Sequence, residues 1–198
     1  MVIKESRFHW LIDNGHDSQQ KGKQSPVWNN GKVLDEYIYN RKIALNLFIL
    51  LENSNIDYTE LVPEVNKRIR LKKRSRRANK LNKLIRKSTA FLSIHGNASF
   101  RYPEANGIET YHYKGSDKGL SFAEIFQREL IKETGWRNRG VKTANFHVLR
   151  ETTMPAVLTE NGFYTNYNEC MKMLDPLWQG RIAYAHYKAI LEIEKMYL

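Results

Sequence analysis

FLSIHGNAS, residues 91–99, is the stretch on which the fold turns. Phe91-Leu92-Ser93-Ile94 is an apolar run of the length of a buried strand. Gly96 and Asn97 are turn formers and close that run directly behind His95. A histidine at a strand end is held by the sheet while its ring faces whatever lies beyond the edge. A loop histidine without a task reads the same way, so the role of His95 depends on partners elsewhere in the chain.

On both sides of this run, short apolar segments alternate with amphipathic ones. Residues 7–13 (RFHWLID) read as a first strand, stopped by Asn14-Gly15. Residues 17–34 are polar, with Gly, Pro and Asn, and read as a loop. Ile43, Ala44, Leu47, Phe48, Leu50 and Leu51 recur at helical spacing within residues 36–51. Residues 57–62 suit a strand closed by Pro63, and residues 108–113 (IETYHY) alternate as a strand does. Residues 121–133 read as a helix, with Ser121 and Glu124 at capping-box spacing and Gly135 as the stop. AVLTE (156–160) is a further strand, ended by Asn161-Gly162. Ile182, Ala185, Ala189, Ile190 and Ile193 share one face of a C-terminal helix. Trp10, Phe48 and Phe126 are expected in the core. Strands alternating with helices predict a single α/β domain with a twisted, mostly parallel sheet and helices on both faces. The 198 residues suit one such domain.

Composition narrows the chemistry. A single cysteine, Cys170, excludes an intramolecular disulfide and a Cys-rich zinc module. No stretch is long and apolar enough to span a membrane, and MVIKESRFHWLIDNG does not read as a signal peptide. The expectation is synthesis in the cytoplasm. The net charge is +11, and residues 67–87 hold 12 of the 32 Lys and Arg with no Asp or Glu. Such a segment attracts polyanions, whether nucleic acid, anionic membrane or anionic wall polymer, or else forms a solvated helix face.

In a parallel α/β sheet, ligands sit outside the carboxyl ends of the strands. His16 follows the first strand, His95 the strand at 91–94, and Glu160 ends the strand at 156–160. Glu36 opens the first helix at the same edge. Two histidines and a carboxylate are a common ligand set for catalytic zinc (Zn2+), and a second, unligated carboxylate can move a proton. The spacing alone is a weak signal, because the chain has six histidines and no compact metal motif.

The local words are more specific. LIDNGH (11–16), EYIYN (36–40), LKKRSRRAN (71–79), FLSIHGNAS (91–99), NRGVK (138–142) and VLRETTMPAVLTENGFYTN (148–166) resemble, in order, the motifs of the zinc-dependent N-acetylmuramoyl-L-alanine amidases of the type 3 family, which cut peptidoglycan. The resemblance runs from about residue 8 to residue 195. It implies that His16, Glu36 and His95 hold Zn2+ and that Glu160 is the catalytic glutamate. Asn14 and Asp17 stand where that family usually has a proline and a glycine pair. Asp13 is a candidate for a hydrogen bond behind the metal ligands. Asn97 and Arg139 are candidates for contacting substrate, although Asn138-Arg139-Gly140 reads equally well as a structural turn. Trp28, Tyr102, Tyr164 and Tyr167 fall in predicted loops as candidates for stacking on sugar or peptide. His9, His112, His147 and His186 read as ordinary histidines.

The resemblance implies peptidoglycan as substrate, with residues 67–87 holding anionic wall polymers, and a monomer. The length leaves no room for a separate wall-binding module, and phage lysis or non-classical export would bring the protein to the wall. Two rivals remain open. One is a nucleic-acid-binding protein acting through residues 67–87, disfavoured because that run lacks aromatic residues for base stacking. The other is a catalytically inactive wall-binding protein of the same fold.

Overall fold

A computed structural model describes residues 4–197. Six strands form one sheet: β1 (Phe8–Asp13), β2 (Tyr58–Glu60), β3 (Ser88–Asn97), β4 (Ile108–His112), β5 (Asn138–Thr143) and β6 (Ala156–Phe163). The helices are α1 (Glu36–Glu52), α2 (Leu71–Leu84), α3 (Asp117–Thr134), α4 (His147–Arg150), α5 (Tyr167–Leu174) and α6 (Pro176–Met196). The strand order is β2-β1-β3-β6-β4-β5. β1, β2, β3 and β6 are mutually parallel, β4 and β5 are parallel to each other, and the two groups meet in the antiparallel β4–β6 pair. The mostly parallel sheet expected from the sequence is present, with one reversal.

Alternate strand residues face opposite sides of a sheet. Trp10, Ile12, Leu92, Ile94 and Val157 enter one core with residues of α1, α3, α5 and α6. Leu11, Phe91, Ala156 and Leu158 enter a second, smaller core with Ala78 of α2 and Val148 and Leu149 of α4. Helices therefore cover both faces. Trp10, Phe48 and Phe126 are buried as expected. Each fully buried Leu, Ile or Phe in these cores contributes roughly 1.5–3 kcal/mol. Among the described residues, no helix is long and apolar enough to cross a membrane.

Several boundaries differ from the sequence reading. α3 starts at Asp117, where Ser116 caps it by accepting from the Gly119 N–H at 3.2 Å, so Ser121 lies inside the helix. Gly135 does end it, in the left-handed conformation at φ 65°. The sequence reads the basic segment as helical near its end, where Leu81, Leu84 and Ile85 share a face, whereas α2 begins already at Leu71. Its buried side chains are Arg74, Ser75 and Ala78, so no apolar stripe announces it. β5, α4 and α5 were not anticipated. β6 runs through Asn161-Gly162 instead of turning there. β3 likewise continues past His95, with a register shift between His95 and Asn97 against β6. Such an irregularity re-aims side chains locally, and here it falls at the candidate site.

Candidate active site

His95 and Glu160 are direct register partners on β3 and β6. Both follow the alternation onto the α2/α4 side of the sheet, near the carboxyl ends of their strands. His16 lies three residues beyond β1. Its backbone has φ 60°, uncommon for a side-chain-bearing residue. Gly15 permits this approach. A Cβ there would lie 2.6 Å from Ile94 O, 2.7 Å from Asn40 Nδ2 and 2.7 Å from His95 Cε1. Glu36 opens α1, whose Asp35 caps the helix by accepting from the Ile38 N–H. The 17–34 loop folds back to place it: the Glu36 N–H donates to Lys23 O at 2.9 Å and the Ser25 N–H to Leu34 O at 2.9 Å.

These three residues converge. His16 Nε2 and His95 Nδ1 lie 2.9 and 3.1 Å from Glu36 Oε1, and one donor atom from each residue falls within 4.8 Å of the others. The Gly96 N–H donates to the same Oε1 at 3.3 Å, and Tyr164 OH donates to Oε2 at 3.2 Å. Burial alone would raise the Glu36 pKa, but the bonds to His16 and His95 bring it down to about 2. Burial holds the His95 pKa below its usual value. Neutral imidazoles and an ionised carboxylate are the states in which these groups bind a divalent metal. The donor set, its convergence, the low Glu36 pKa and the lowered His95 pKa all fit a divalent metal ion.

Glu160 faces this cluster with a different character. Its Oε2 is buried without a hydrogen-bond partner. Burial, then the nearby Glu36 and Glu109 carboxylates, push its pKa well above the usual range. His16, Glu36, His95 and Glu160 all line one cavity of about 280 Å³, together with Asn97, Phe146, His147 and Tyr164.

The other sequence candidates sort as follows. Asp13 does not bond a histidine. It pairs with the buried Arg74 and accepts from Ser93 Oγ at 2.7 Å, and Arg74 in turn donates to His16 O. Asp13 thus supports the His16 backbone through Arg74. Asn97 lines the cavity, with its amide on Glu109 Oε1 at 2.8 Å. Arg139 is not among the lining residues. Its Nε donates to Glu109 Oε2 at 2.8 Å and its guanidinium lies over the Phe163 ring at 4.8 Å. Tyr164 is buried and serves Glu36, so the expectation of an exposed stacking ring is corrected. Trp28 is half-buried, donating to Cys170 Sγ at 3.1 Å, with Tyr167 against it edge-on at 5.3 Å. Tyr102 is exposed.

Sequence reasoning missed Glu109 and the role of Arg74; His147, read as an ordinary histidine, lines the cavity and bonds Ser75 Oγ at 3.2 Å. Glu109 lies behind the cavity, opposite Glu160 and bonded to Asn97, because β4 runs opposite to β6, which brings the amino end of β4 to the carboxyl end of β6. No local signal marks that reversal. Arg74 was visible as the arginine of LKKRSRRAN, but its inward direction was not.

Fold and donor set together define a metalloenzyme-like α/β domain. The particular family follows from comparison: the chain belongs to the N-acetylmuramoyl-L-alanine amidase family, whose model it matches over residues 11–192. It is 35% identical over 177 residues to the N-acetylmuramoyl-L-alanine amidase CwlM of Bacillus licheniformis, across 89% of this chain and 64% of that protein. It is 32% identical over 196 residues to the endolysin of Bacillus phage SPP1, across 95% of this chain and 66% of that protein. Among solved structures it is similar to the catalytic domain of CwlV, an N-acetylmuramoyl-L-alanine amidase from Bacillus (Paenibacillus) polymyxa var. colistinus. That match has TM-score 0.79 and 30% identity, covering 94% of this chain and 97% of the other. An N-acetylmuramoyl-L-alanine amidase from Clostridium difficile 630 matches with TM-score 0.82 and 31% identity, covering 94% and 96%. The chain spans less than two thirds of the length of the CwlM relative.

Proposed function

We propose that the protein hydrolyses the amide between the lactyl group of N-acetylmuramic acid and the L-alanine of the stem peptide in peptidoglycan. The observation that carries this reading is the convergence of His16, Glu36 and His95 opposite an unpartnered Glu160, in a chain of this family. The two imidazoles and the Glu36 carboxylate would hold the metal. Zinc bound there supplies a Lewis acid for the carbonyl oxygen and lowers the pKa of water towards ~7. Glu160 takes a proton from the attacking water. The resulting hydroxide oxygen bonds to the carbonyl carbon. The carbon–nitrogen bond then breaks as Glu160 returns the proton to the departing amine, leaving a free α-amine and a lactyl carboxylic acid, whose remaining proton is lost to solvent or to the amine. A carboxylate with raised proton affinity suits both transfers. Tyr164 and Gly96 orient Glu36, and Arg74 orients the His16 backbone.

The rivals lose support. Arg74 is committed to Asp13, and Arg77 to Glu64 and Leu61 O, so the basic segment is partly structural rather than a uniform nucleic-acid surface. All four polar residues stand together in one cleft, against an inactive wall-binding role. The exposed face of α2, with Lys73, Arg76 and Lys80, is the part of the segment left for anionic wall polymers.

The test pairs metal analysis of the purified protein with mass spectrometry of digested peptidoglycan. Near one zinc per chain and new free L-alanine amino ends are expected. Cleavage at a sugar or inter-peptide bond would overturn the reading.

A further inference from the structure

We propose that Lys23, Arg70 and Lys72 form a carboxylate-binding subsite that takes the acidic groups of the stem peptide and so sets which way the substrate lies in the cleft. This rests on the amidase reading above.

A second cavity, of about 560 Å³, adjoins the first and shares His16, Lys23, Leu71 and His95 with it. The two are arms of one cleft, with the candidate centre at their junction. The arms differ in chemistry. The first is lined by Phe146, Val148, Leu158 and Tyr164, with Glu160 at its base. The second is lined by Lys23, Arg68, Arg70, Lys72 and Arg74, against only Asp13 and Asp17.

Both acids are already engaged. Asp13 pairs with Arg74. Asp17 accepts from the Ile69 N–H at 2.9 Å and the Gln19 N–H at 3.1 Å, with Arg68 at 3.7 Å. Among the described residues, Lys23, Arg70 and Lys72 form no ion pair. Arg70 sits at the N-cap of α2 with no side-chain capping bond. Lys23 is near enough to Glu160, and Lys72 to Glu151, to interact through charge, but neither is closed into an ion pair, and Arg70 and Lys72 are exposed. Three cations along one side of a cleft raise a positive potential there.

The scissile amide divides the substrate just as unevenly. On its sugar side, the lactyl carboxyl is consumed in the amide and the acetylated sugars are uncharged. On its peptide side, the stem carries free carboxylates at its acidic residue and at its C-terminus. Matching charge places the peptide in the basic arm and the glycan in the arm with Phe146 and Tyr164. Arginine and lysine donate charge-assisted hydrogen bonds to carboxylates, and these are the stronger kind.

The test uses two soluble muramoyl peptides that differ only in whether the acidic residue's side carboxyl is free or amidated. The zinc-loaded full chain should show a higher kcat/KM on the free acid. In Arg70→Gln/Lys72→Gln that preference should fall about tenfold, as for loss of a screened charged hydrogen bond. An unchanged preference in the variant, or no preference in the native chain, would overturn the subsite. Calorimetric binding of the free acidic and amidated stem peptides separates the two readings. If neither muramoyl peptide is cleaved but the acidic peptide binds in an Arg70- and Lys72-dependent way, the amidase reading fails and the subsite stands. If cleavage proceeds and both peptides bind alike, the reverse holds.

Discussion

Glu109 and Glu160 lie directly opposite each other across the antiparallel β4–β6 pair, yet they hold protons with very different affinity. Burial would raise both. Around Glu109, Lys142, Tyr111 and Arg139 reverse that tendency and bring its pKa down to about 2. Glu160 has no such partners on Oε2 and is raised by burial and by the Glu36 and Glu109 carboxylates. One carboxylate is a fixed charge within an ion-pair network. The other is the group free to exchange a proton.

Glu160→Gln and Glu36→Gln should therefore fail differently. Glu160→Gln cannot accept the water's proton, and general-base help is typically worth ~10²–10⁴ in rate. Its activity should fall at least that far while zinc content stays near one per chain. Glu36→Gln, His16→Ala and His95→Ala should lose zinc or bind it much more weakly. Metal analysis beside activity checks this. Loss of zinc from Glu160→Gln with retention in Glu36→Gln would mean that the two carboxylates have exchanged roles.

Metal-free protein should gain thermal stability from Glu160→Gln at pH 7. The carboxyl's folded pKa lies well above its unfolded 4.5. Its contribution is therefore fully present below pH ~4.5 and is lost as pH rises through the folded value. The amide cannot ionise and escapes that loss. Melting temperatures of the chelated proteins across pH 4–8 should diverge as pH rises. Parallel curves would contradict the raised affinity of Glu160.

Gly15→Ala should disable the site more than it destabilises the fold. The new methyl would press on Ile94 O, Asn40 and the His95 ring, all beside the candidate metal ligands. Zinc affinity should drop by at least tenfold, read by competition with a chelator, and activity should fall with it. Native-like affinity would show that the His16 loop moves aside without cost.

Arg74→Gln should be the most damaging change in the basic segment. It leaves Asp13 buried without its cation, and breaking a buried pair typically costs ~3–5 kcal/mol. Chemical denaturation should show a loss of that order. By contrast, Lys73→Gln/Arg76→Gln/Lys80→Gln alters only exposed charges. It should leave stability nearly unchanged and weaken adsorption to intact walls at low salt, an effect that fades as the Debye length shortens.

Local sequence determined the fold class and placed His16, Glu36, His95 and Glu160 at one sheet edge, and only the resemblance to the amidase motifs gave them roles; the structure brings all four to one cavity. Apolar runs closed by turn formers mark β1, the middle of β3 and most of β6, and polar residues at such ends have few places to go except the edge of the sheet. That is why His16, His95 and Glu160 were legible as strand-end candidates, and Glu36 as a candidate at a capped helix start. The tertiary structure decided the rest. Glu109 comes to lie beside Glu160 only because β4 runs against β6, a choice that no window of a few residues encodes. Tyr164 reaches Glu36 and Arg74 reaches His16 O from segments 128 and 58 residues away. The first half of α2 escaped notice because its inward face is built on Arg74, whose charge reads as solvent-exposed until the structure places Asp13 opposite it. Periodicity reports which side of an element is apolar. Which buried charges meet depends on how strands order and reverse across the sheet, and that is settled by long-range packing.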